Sequence, residues 1–452
     1  MIEKTGTVLD VFKRRVDPEK VYDVIVCGSG PAGIGASLAA AINGAKVAVL
    51  EARNQFGGTA VGANWMEWNA LYKDSNGTRR GGINDLLISE IQKWGPDAWV
   101  KGDRGRIIPD HYSLHIHPEY AKKALFDLFD RYEIDYQLYS PVVDVVKEGD
   151  RVRGVVIGAK EGNVTYKGKV IIDATGDGDV AFRAGCEMAA EGEEESHWRP
   201  YVTVSFLVCN VDTAKFWKWL NMADLMVPSF RPYRERVLEP GIQRGYNLPT
   251  WIGFDETTVP GAVSVNSGTS QGISVDPSKS YALSYIEKIA IDQALDFVKW
   301  VRTERNHPGM EECYLLRVGP YALPRDTRRI IGEYVYTNKD VMEGSDFDDV
   351  VAAKYGGSDP VGKVRKAAAI KQGTQYPYRS FLPKKIDGLL VAGRCGSATL
   401  LGHFGGKSIG NMICLGQAAG VAGALCCKKG IQPRALDAKL IRDALDEMGV
   451  SL

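Results

Sequence analysis

Residues 21–51, VYDVIVCGSGPAGIGASLAAAINGAKVAVLE, decide the fold. VYDVIVC is an apolar run, as a strand buried on both faces requires. GSGPAG follows, then an alanine-rich stretch that stops at Asn43-Gly44, a good helix C-terminus. KVAVLE reads as a second strand. Strand, glycine turn, helix and strand make the βαβ unit that binds a dinucleotide, and each glycine has its own task. Gly28 permits the tight turn, Gly30 lets the backbone approach a pyrophosphate, and Gly33 lets the helix pack on the strand. The helix that starts at Pro31-Ala32 presents unpaired N–H groups and a positive dipole end to phosphates. Glu51 closes the second strand, roughly 20 residues beyond the glycine turn, where a carboxylate is wanted for ribose hydroxyls. With Ala52 behind it, this carboxylate disfavours NADP, whose 2′-phosphate it would repel.

Just downstream stands Gly57-Gly58-Thr59. A simple NAD site does not need a glycine pair there, whereas FAD is longer and must thread past another loop. Further on, residues 119–132, EYAKKALFDLFDRY, place Ala121, Ala124, Leu125, Leu128 and Phe129 at helical spacing. VVDVV, RVRGVVI, NVTYK and KVIIDA then form a series of short strands, a β-meander that returns to the main sheet and ends in ATGDGD at 174–179. From about residue 200 the βαβ pattern is lost. A strand candidate VTVSFLV, a long helix candidate around 280–304 and many aromatics mark a second unit. Near 388 the apolar run GLLVAG returns, followed by a helix-like stretch, IGNMICLGQAAGVAGALCC.

The expected fold class is therefore α/β: a Rossmann-type FAD-binding domain, discontinuous and carrying a β-meander, with an inserted α+β substrate domain. Residues 1–20 read as a leader segment, 21–200 and 371–452 as the FAD-binding domain, and 201–370 as the substrate or cap domain.

Composition narrows the function classes. The 452 residues hold 56 Lys plus Arg against 56 Asp plus Glu, so no basic excess exists to neutralise phosphates and no nucleic-acid partner is expected. Apolar residues at 44 % and charged residues at 25 % are ordinary for a globular protein. Glycine numbers 50, above the usual ~7 %. The N-terminus, MIEKTGTVLDVFKRR, has no apolar core of a secretory signal. No run approaches 18 consecutive apolar residues, so no membrane partner is expected. Eight scattered cysteines without a C-x-x-C fit reduced thiols and a cytoplasmic location.

Taken together, GSGPAG with Glu51 and Gly57-Gly58, ATGDG, PRDTRRIIGEY at 324–334, and GLLVAGR leading to GQAAGVAGA resemble the FAD-dependent oxidoreductase family of the glutathione-reductase-type flavoprotein superfamily. The resemblance covers nearly the whole chain from about residue 21 and implies FAD as the cofactor. It implies that Gly28, Gly30, Gly33 and Glu51 hold the AMP half and pyrophosphate, and that Val143 makes the backbone contact to adenine. It further implies that Thr175, Gly176 and Asp177 line the dinucleotide site and that Gly393 and Arg394 lie by the ribityl chain and pyrophosphate. The helix after Gly405-Gly406 is expected to aim its N-terminus at the pyrimidine edge of the flavin, where a positive helix end favours negative charge. Related sequences often carry Arg-Val-Met-Pro before that helix; this chain has Lys407-Ser408-Ile409-Gly410.

Missing motifs exclude some chemistries. Gly57-Gly58-Thr59-Ala60 lacks the cysteine that disulfide reductases place after the glycine pair, which argues against dithiol relay. No Gly-Asp-Ala-x-His appears, which lowers aromatic hydroxylation, and no second GxGxxG is evident for NAD(P)H. DHYSLHIH at 110–117 concentrates His111, His115 and His117, but their spacing matches no common zinc helix and no metal is expected. The loop borders the substrate or forms a polar edge strand. Trp65 and Trp68 either wall the substrate or pack between domains.

The expected function is transfer of a hydride between a small organic substrate and the flavin, forming C=C or C=O, with an unspecified electron acceptor. An NAD(P)H-dependent reductase is the alternative, and an RNA-modifying or scaffold flavoprotein a more distant one. A homo-oligomer is compatible with either. His403, in the loop between GLLVAGR and the final helix, is the expected proton acceptor, because an imidazole with an ordinary pKa near ~6.5 suits that role. Tyr378, Lys407 and Arg379 stand in reserve, with the His111 loop behind them.

Overall fold

The computed structural model describes residues 16–62, 64, 67–74, 76–101, 113–189, 202–225, 231–268, 275–355, 373–450 and 452. The first fifteen residues of the expected leader, His111 and Trp65 lie outside the described residues.

The N-terminal unit forms as its pattern demands. Strand β1 (Val21–Cys27), helix α1 (Pro31–Ile42) and strand β2 (Val47–Leu50) are followed, after a long excursion, by helix α2 (Pro118–Arg131) and strand β3 (Asp135–Gln137). A meander of β4 (Val142–Glu148), β5 (Arg151–Ala159) and β6 (Gly162–Asp173) comes next. NVTYK and KVIIDA are one continuous strand, β6, and not two. Alternation explains why these strands are apolar throughout. Val24, Val26, Val47, Val49, Val170 and Ile172 enter the core that contains α1. Ile25, Cys27, Ala48, Leu50 and Ile171 enter a second core on the other face, with Val152, Val155 and Ile157 of the meander. Val16, at the end of the expected leader, is also buried in that second core.

The chain between 202 and 324 builds a second sheet. Strand β7 (Phe206–Cys209) leads to the antiparallel pair β8 (Trp251–Glu256) and β9 (Val263–Gly268), then helix α3 (Ser280–Glu304) and edge strand β10 (Tyr314–Val318). Two-residue strands Val202–Thr203 and Leu323–Pro324 complete its six strands. The expected strand VTVSFLV is broken between Thr203 and Phe206. One face of the sheet packs Phe206, Val208, Phe254, Val263 and Val265 against Phe297, Trp300 and Val301 of α3.

The chain then returns to the first sheet through β11 (Leu389–Val391) and the long helix α4 (Ile409–Lys429). The first sheet runs β3-β2-β1-β6-β5-β4, with β11 parallel to the C-terminal part of β6. The two cores divide the chain earlier than residue 370. Ile330 joins the second core, and Tyr336, Val341, Val351 and Ala352 join the first, so residues 330–355 pack with the dinucleotide sheet.

Helix α4 has a stretch of mean hydropathy 1.5, long and apolar enough to cross a membrane, although its glycines break any continuous apolar run. That stretch is 94 % buried in this fold, where it lies against α1. The seam between the two helices is backbone on backbone. A Cβ on Gly416 would stand 1.8 Å from the Ala32 carbonyl oxygen, and one on Gly420 2.1 Å from that of Ala36.

Candidate functional site

The site is built where the C-terminal ends of β1, β2, β6 and β11 meet, the position at which open α/β sheets bind ligands. The glycines of GSGPAG behave differently from one another. Gly28 has φ +89°, and a Cβ there would lie 2.5 Å from the Ala174 carbonyl oxygen. A Cβ on Gly33 would strike the Gly28 carbonyl at 1.9 Å. A Cβ on Gly30 would meet nothing within 4 Å. Gly28 and Gly33 are therefore required by the fold itself, while Gly30 faces open space. The glycine pair comes to the same place: the Gly57 amide donates to the Ser29 carbonyl at 2.8 Å, and a Cβ on Gly58 would sit 2.8 Å from the Gly30 Cα. Thr59 is exposed at the start of the short helix Thr59–Gly62, beside Gly30 and Pro31.

Glu51 is 6 % exposed and holds this turn together. Its Oε2 accepts from the Ser29 amide at 2.7 Å and from the Ser29 hydroxyl at 2.6 Å, and its Oε1 accepts from the Arg53 amide at 2.8 Å. The Ser140 amide donates to the Glu51 carbonyl, which brings the start of β4 alongside. Val143 stands there at a register shift and is exposed, as is Ala52.

The ATGDGD turn is anchored by Asp173, which the sequence reading passed over. Fully buried, it accepts from the amide and hydroxyl of Thr175 and from the amides of Val180 and Ala181. Burial pushes its carboxyl above the usual range. Gly176 has φ +82° and lies against the Arg394 guanidinium. Arg394 pairs with Asp177, whose carboxylate also accepts from the Thr327 hydroxyl at 2.8 Å. Gly393, with φ +101°, lies against Ala32.

Around Arg394 a charged cluster collects residues from three segments. Asp326 is 13 % exposed and bonds to the Arg329 Nε at 3.0 Å. Burial pushes the Asp326 carboxyl up to about 7, against the opposing pull of Arg394 and Lys407. Arg329 is brought down to about 10 by burial. His403 is 4 % exposed, and its Nε2 has no hydrogen-bond partner. Burial, reinforced by Lys407, Arg329, Lys354 and Arg394, holds its imidazole well below the usual histidine range. The ordinary pKa expected for His403 is thus corrected: the ring is kept neutral. The Lys407 ammonium lies 3.6 Å over the Phe404 ring. Gly405 packs on Val341, and Gly406, with φ +116°, on Lys354.

Tyr378 is not part of this cluster. Its hydroxyl donates to the Pro433 carbonyl at 2.9 Å, its ring belongs to the first core, and burial raises its pKa far above the usual value. Arg379 is committed to Asp349 at 3.0 Å. The first amides of α4, of Ile409 and Gly410, go to the side chain and carbonyl of Asn69 at 3.1 and 3.0 Å. That helix end is therefore closed by the Asn69 turn at these two donors. His115 faces the Glu256 carbonyl through Nδ1 at 2.6 Å, His117 caps α2, and Trp68 donates to the Ala60 carbonyl from a fully buried position.

Comparison with known proteins decides the family. Residues 23–445 match the family described as FAD dependent oxidoreductase. The chain belongs to the FAD-dependent oxidoreductase family. It is an FAD-dependent enzyme, and FAD is its cofactor. Solved structures share the fold at low identity. The flavin-dependent brominase Bmp2 is 13 % identical, with 95 % of this chain and 83 % of that chain covered and a TM-score of 0.50. BexE, studied for oxidation during BE-7585A biosynthesis, is also 13 % identical, with 95 % and 66 % covered and a TM-score of 0.50. A soluble pyridine nucleotide transhydrogenase of Marinomonas sp. (strain MWYL1) is 58 % identical over 40 residues, which span only 9 % of this chain and 9 % of that protein.

FAD fits these residues on one direct observation: Gly30 alone of the three fingerprint glycines faces open space, at a helix N-terminus flanked by Gly58. Gly30, Pro31, Ala32 and Thr59 would hold the pyrophosphate, Glu51 and Val143 the adenosine, and Gly176, Asp177, Gly393 and Arg394 the chain that leads to the ring. Tyr321 was missed by the sequence reading. It reaches over from the second sheet, donates to the Gly58 carbonyl at 3.1 Å and stacks under Arg53, 3.4 Å from guanidinium carbon to ring centroid. A lone tyrosine in a loop carries no pattern by which to find it. Asp326 and Arg329 stood in the quoted PRDTRRIIGEY stretch, but nothing local reveals that the charge of Arg394 acts on Asp326 or that of Arg329 on His403.

Proposed function

We propose that this enzyme oxidises a small organic substrate in the crevice between the glycine loops and the second sheet. FAD, when bound, supplies the two-electron chemistry by taking a hydride from a C–H bond as C=C or C=O forms. The glutathione-reductase-type superfamily is the finer affiliation this reading favours, with the second sheet serving as a substrate-covering unit and the cytoplasm as the location.

The observation that carries the reading is His403 Nε2, buried and without a partner beside Arg394 and Lys407. A buried polar atom left unpaired lowers stability, and such atoms survive where function uses them. Burial, reinforced by the surrounding cations, keeps the ring neutral, so His403 hydrogen-bonds the reacting group of the substrate and does not store its proton. Asp326, with a carboxyl near neutrality, has the affinity to hold that proton. Lys407 and Arg394 stabilise negative charge that develops on substrate oxygen, at fixed positions and in a place partly screened from water.

The test is anaerobic absorbance of the purified protein against a panel of alcohols, carboxylic acids, cyclic ketones and amines, with NADH and NADPH as separate arms. Bleaching by an organic substrate without nicotinamide supports the reading. Bleaching by NADH or NADPH alone replaces it with a reductase.

A further inference from the structure

Two faces of the second sheet differ in kind. Val202, Val204, Phe206 and Val208 point one way, toward Ile286, Ala290 and Phe297 of α3. Val263 and Val265 join them. The register Phe206↔Val265 and Leu207↔Ser264 sends the intervening residues to the other face. That face carries Thr203, Ser205, Ser264, Asn266 and Asp255, which are 6, 1, 0, 5 and 1 % exposed.

Polar atoms buried this deeply are normally paired within the protein. Thr203 Oγ1, Ser205 Oγ and Asn266 Oδ1 have no hydrogen-bond partner. The face is turned toward the loop that follows the glycine pair, because the Ser264 hydroxyl donates to the Asn64 carbonyl at 2.8 Å. Asn64, 4 % exposed and at φ +50°, leaves its own Nδ2 without a partner. One amide donor, one amide acceptor and two hydroxyls thus stand unpaired on two adjoining walls, and none of the four is charged.

We propose that these walls form the substrate-recognition surface of the crevice and take a neutral, polyhydroxylated molecule, whose hydroxyls pair with Asn64, Thr203, Ser205 and Asn266. A hydroxyl both donates and accepts, so it satisfies all four groups. A carboxylate only accepts; it leaves Asn266 Oδ1 unpaired and stands beside the buried Asp255. A hydrocarbon leaves all four groups unpaired, which a hydrogen-bonding site rejects strongly. The inference rests on the crevice being the active site and adds the class of molecule it receives.

The experiment uses the FAD-loaded enzyme with mannitol and myo-inositol as probes, and lactate and cyclohexanol as controls. Binding is read from perturbation of the flavin spectrum and from the ligand-induced rise in melting temperature, before any reduction is measured. Thr203→Val and Asn266→Leu remove unpaired polar atoms. Each is expected to raise the ligand-free melting temperature by about 1–3 °C, keep FAD content unchanged and weaken polyol binding by roughly tenfold or more. Should Asn266→Leu not fold, Ser205→Ala with Thr203→Val carries the same comparison. Perturbation by lactate or cyclohexanol but not by the polyols overturns the proposal, as does wild-type polyol affinity in the variants. A protein that purifies without flavin absorption fails the cofactor reading instead, and that failure is visible before any probe is added.

Discussion

The three fingerprint glycines separate fold from function residue by residue. Gly33→Ala places a Cβ 1.9 Å from a carbonyl oxygen and is expected to yield insoluble or strongly destabilised protein. A Cβ on Gly30 meets nothing within 4 Å, so Gly30→Val is expected to fold with a near-wild-type melting curve and purify colourless. His403 and Tyr378 separate in the same manner. His403→Ala should retain FAD and slow substrate-dependent flavin reduction by ~10²-fold or more, the scale for one positioned hydrogen-bonding group. Tyr378→Phe should cost about 1–2 kcal/mol of stability through the orphaned Pro433 carbonyl and leave reduction unchanged. Stopped-flow reduction of both variants checks the pair; equal losses would refute the assignment. The glycines were legible in the sequence because their spacing is a local pattern: Gly28 needs a positive φ and Gly33 packs on the Gly28 carbonyl, although the contact of Gly28 with Ala174 is distant in sequence. Tyr378 was not, because its partner lies 55 positions along the chain and a tyrosine beside a glycine-rich motif looks the same whether its hydroxyl faces ligand or backbone.

Among the elements, α1 and α4 depend on each other through glycine. Gly416→Val would drive a side chain into the Ala32 carbonyl, and its cost should exceed the ~1–3 kcal/mol of ordinary overpacking because backbone cannot step aside. Near-wild-type thermal unfolding of that variant would contradict the seam. The second sheet has its own element-scale signature in His307. Fully buried among Tyr233, Phe254 and Trp300, with the Tyr233 hydroxyl 2.7 Å from Nε2, it is driven by burial down to about 3. The folded state therefore resists protonation that the unfolded chain accepts near pH 6.5. This contribution is constant above 6.5 and lost as pH falls toward 3, about 3 kcal/mol by pH 4. Denaturant melts at pH 7 and pH 4 should show that loss in the wild type and a smaller one in His307→Gln; equal pH slopes would contradict it. Most elements of the first sheet were legible because apolar runs and glycine turns mark parallel strands. Residues 330–355 were not, since short strands and bridges such as Gly332 to Pro383 and Tyr336 to Ala398 carry no periodicity that tells which sheet they join.

At the scale of the whole molecule, two sheets converge on one set of loops. Tyr321 ties the second sheet to Gly58, Ser264 ties it to Asn64, and Arg394 ties Asp177 to the Pro324 carbonyl. The crevice proposed as the active site depends on that convergence, and no segment of sequence contains it. The measurement that tests the account most directly is the cofactor content of two purified proteins, wild type and Gly30→Val, together with their melting curves. The wild type is expected to be yellow, to absorb near ~450 nm and to release FAD on denaturation, beside a folded variant without flavin. A wild type that releases FMN or no flavin, or a folded Gly30→Val protein that keeps its full complement of FAD, would contradict it.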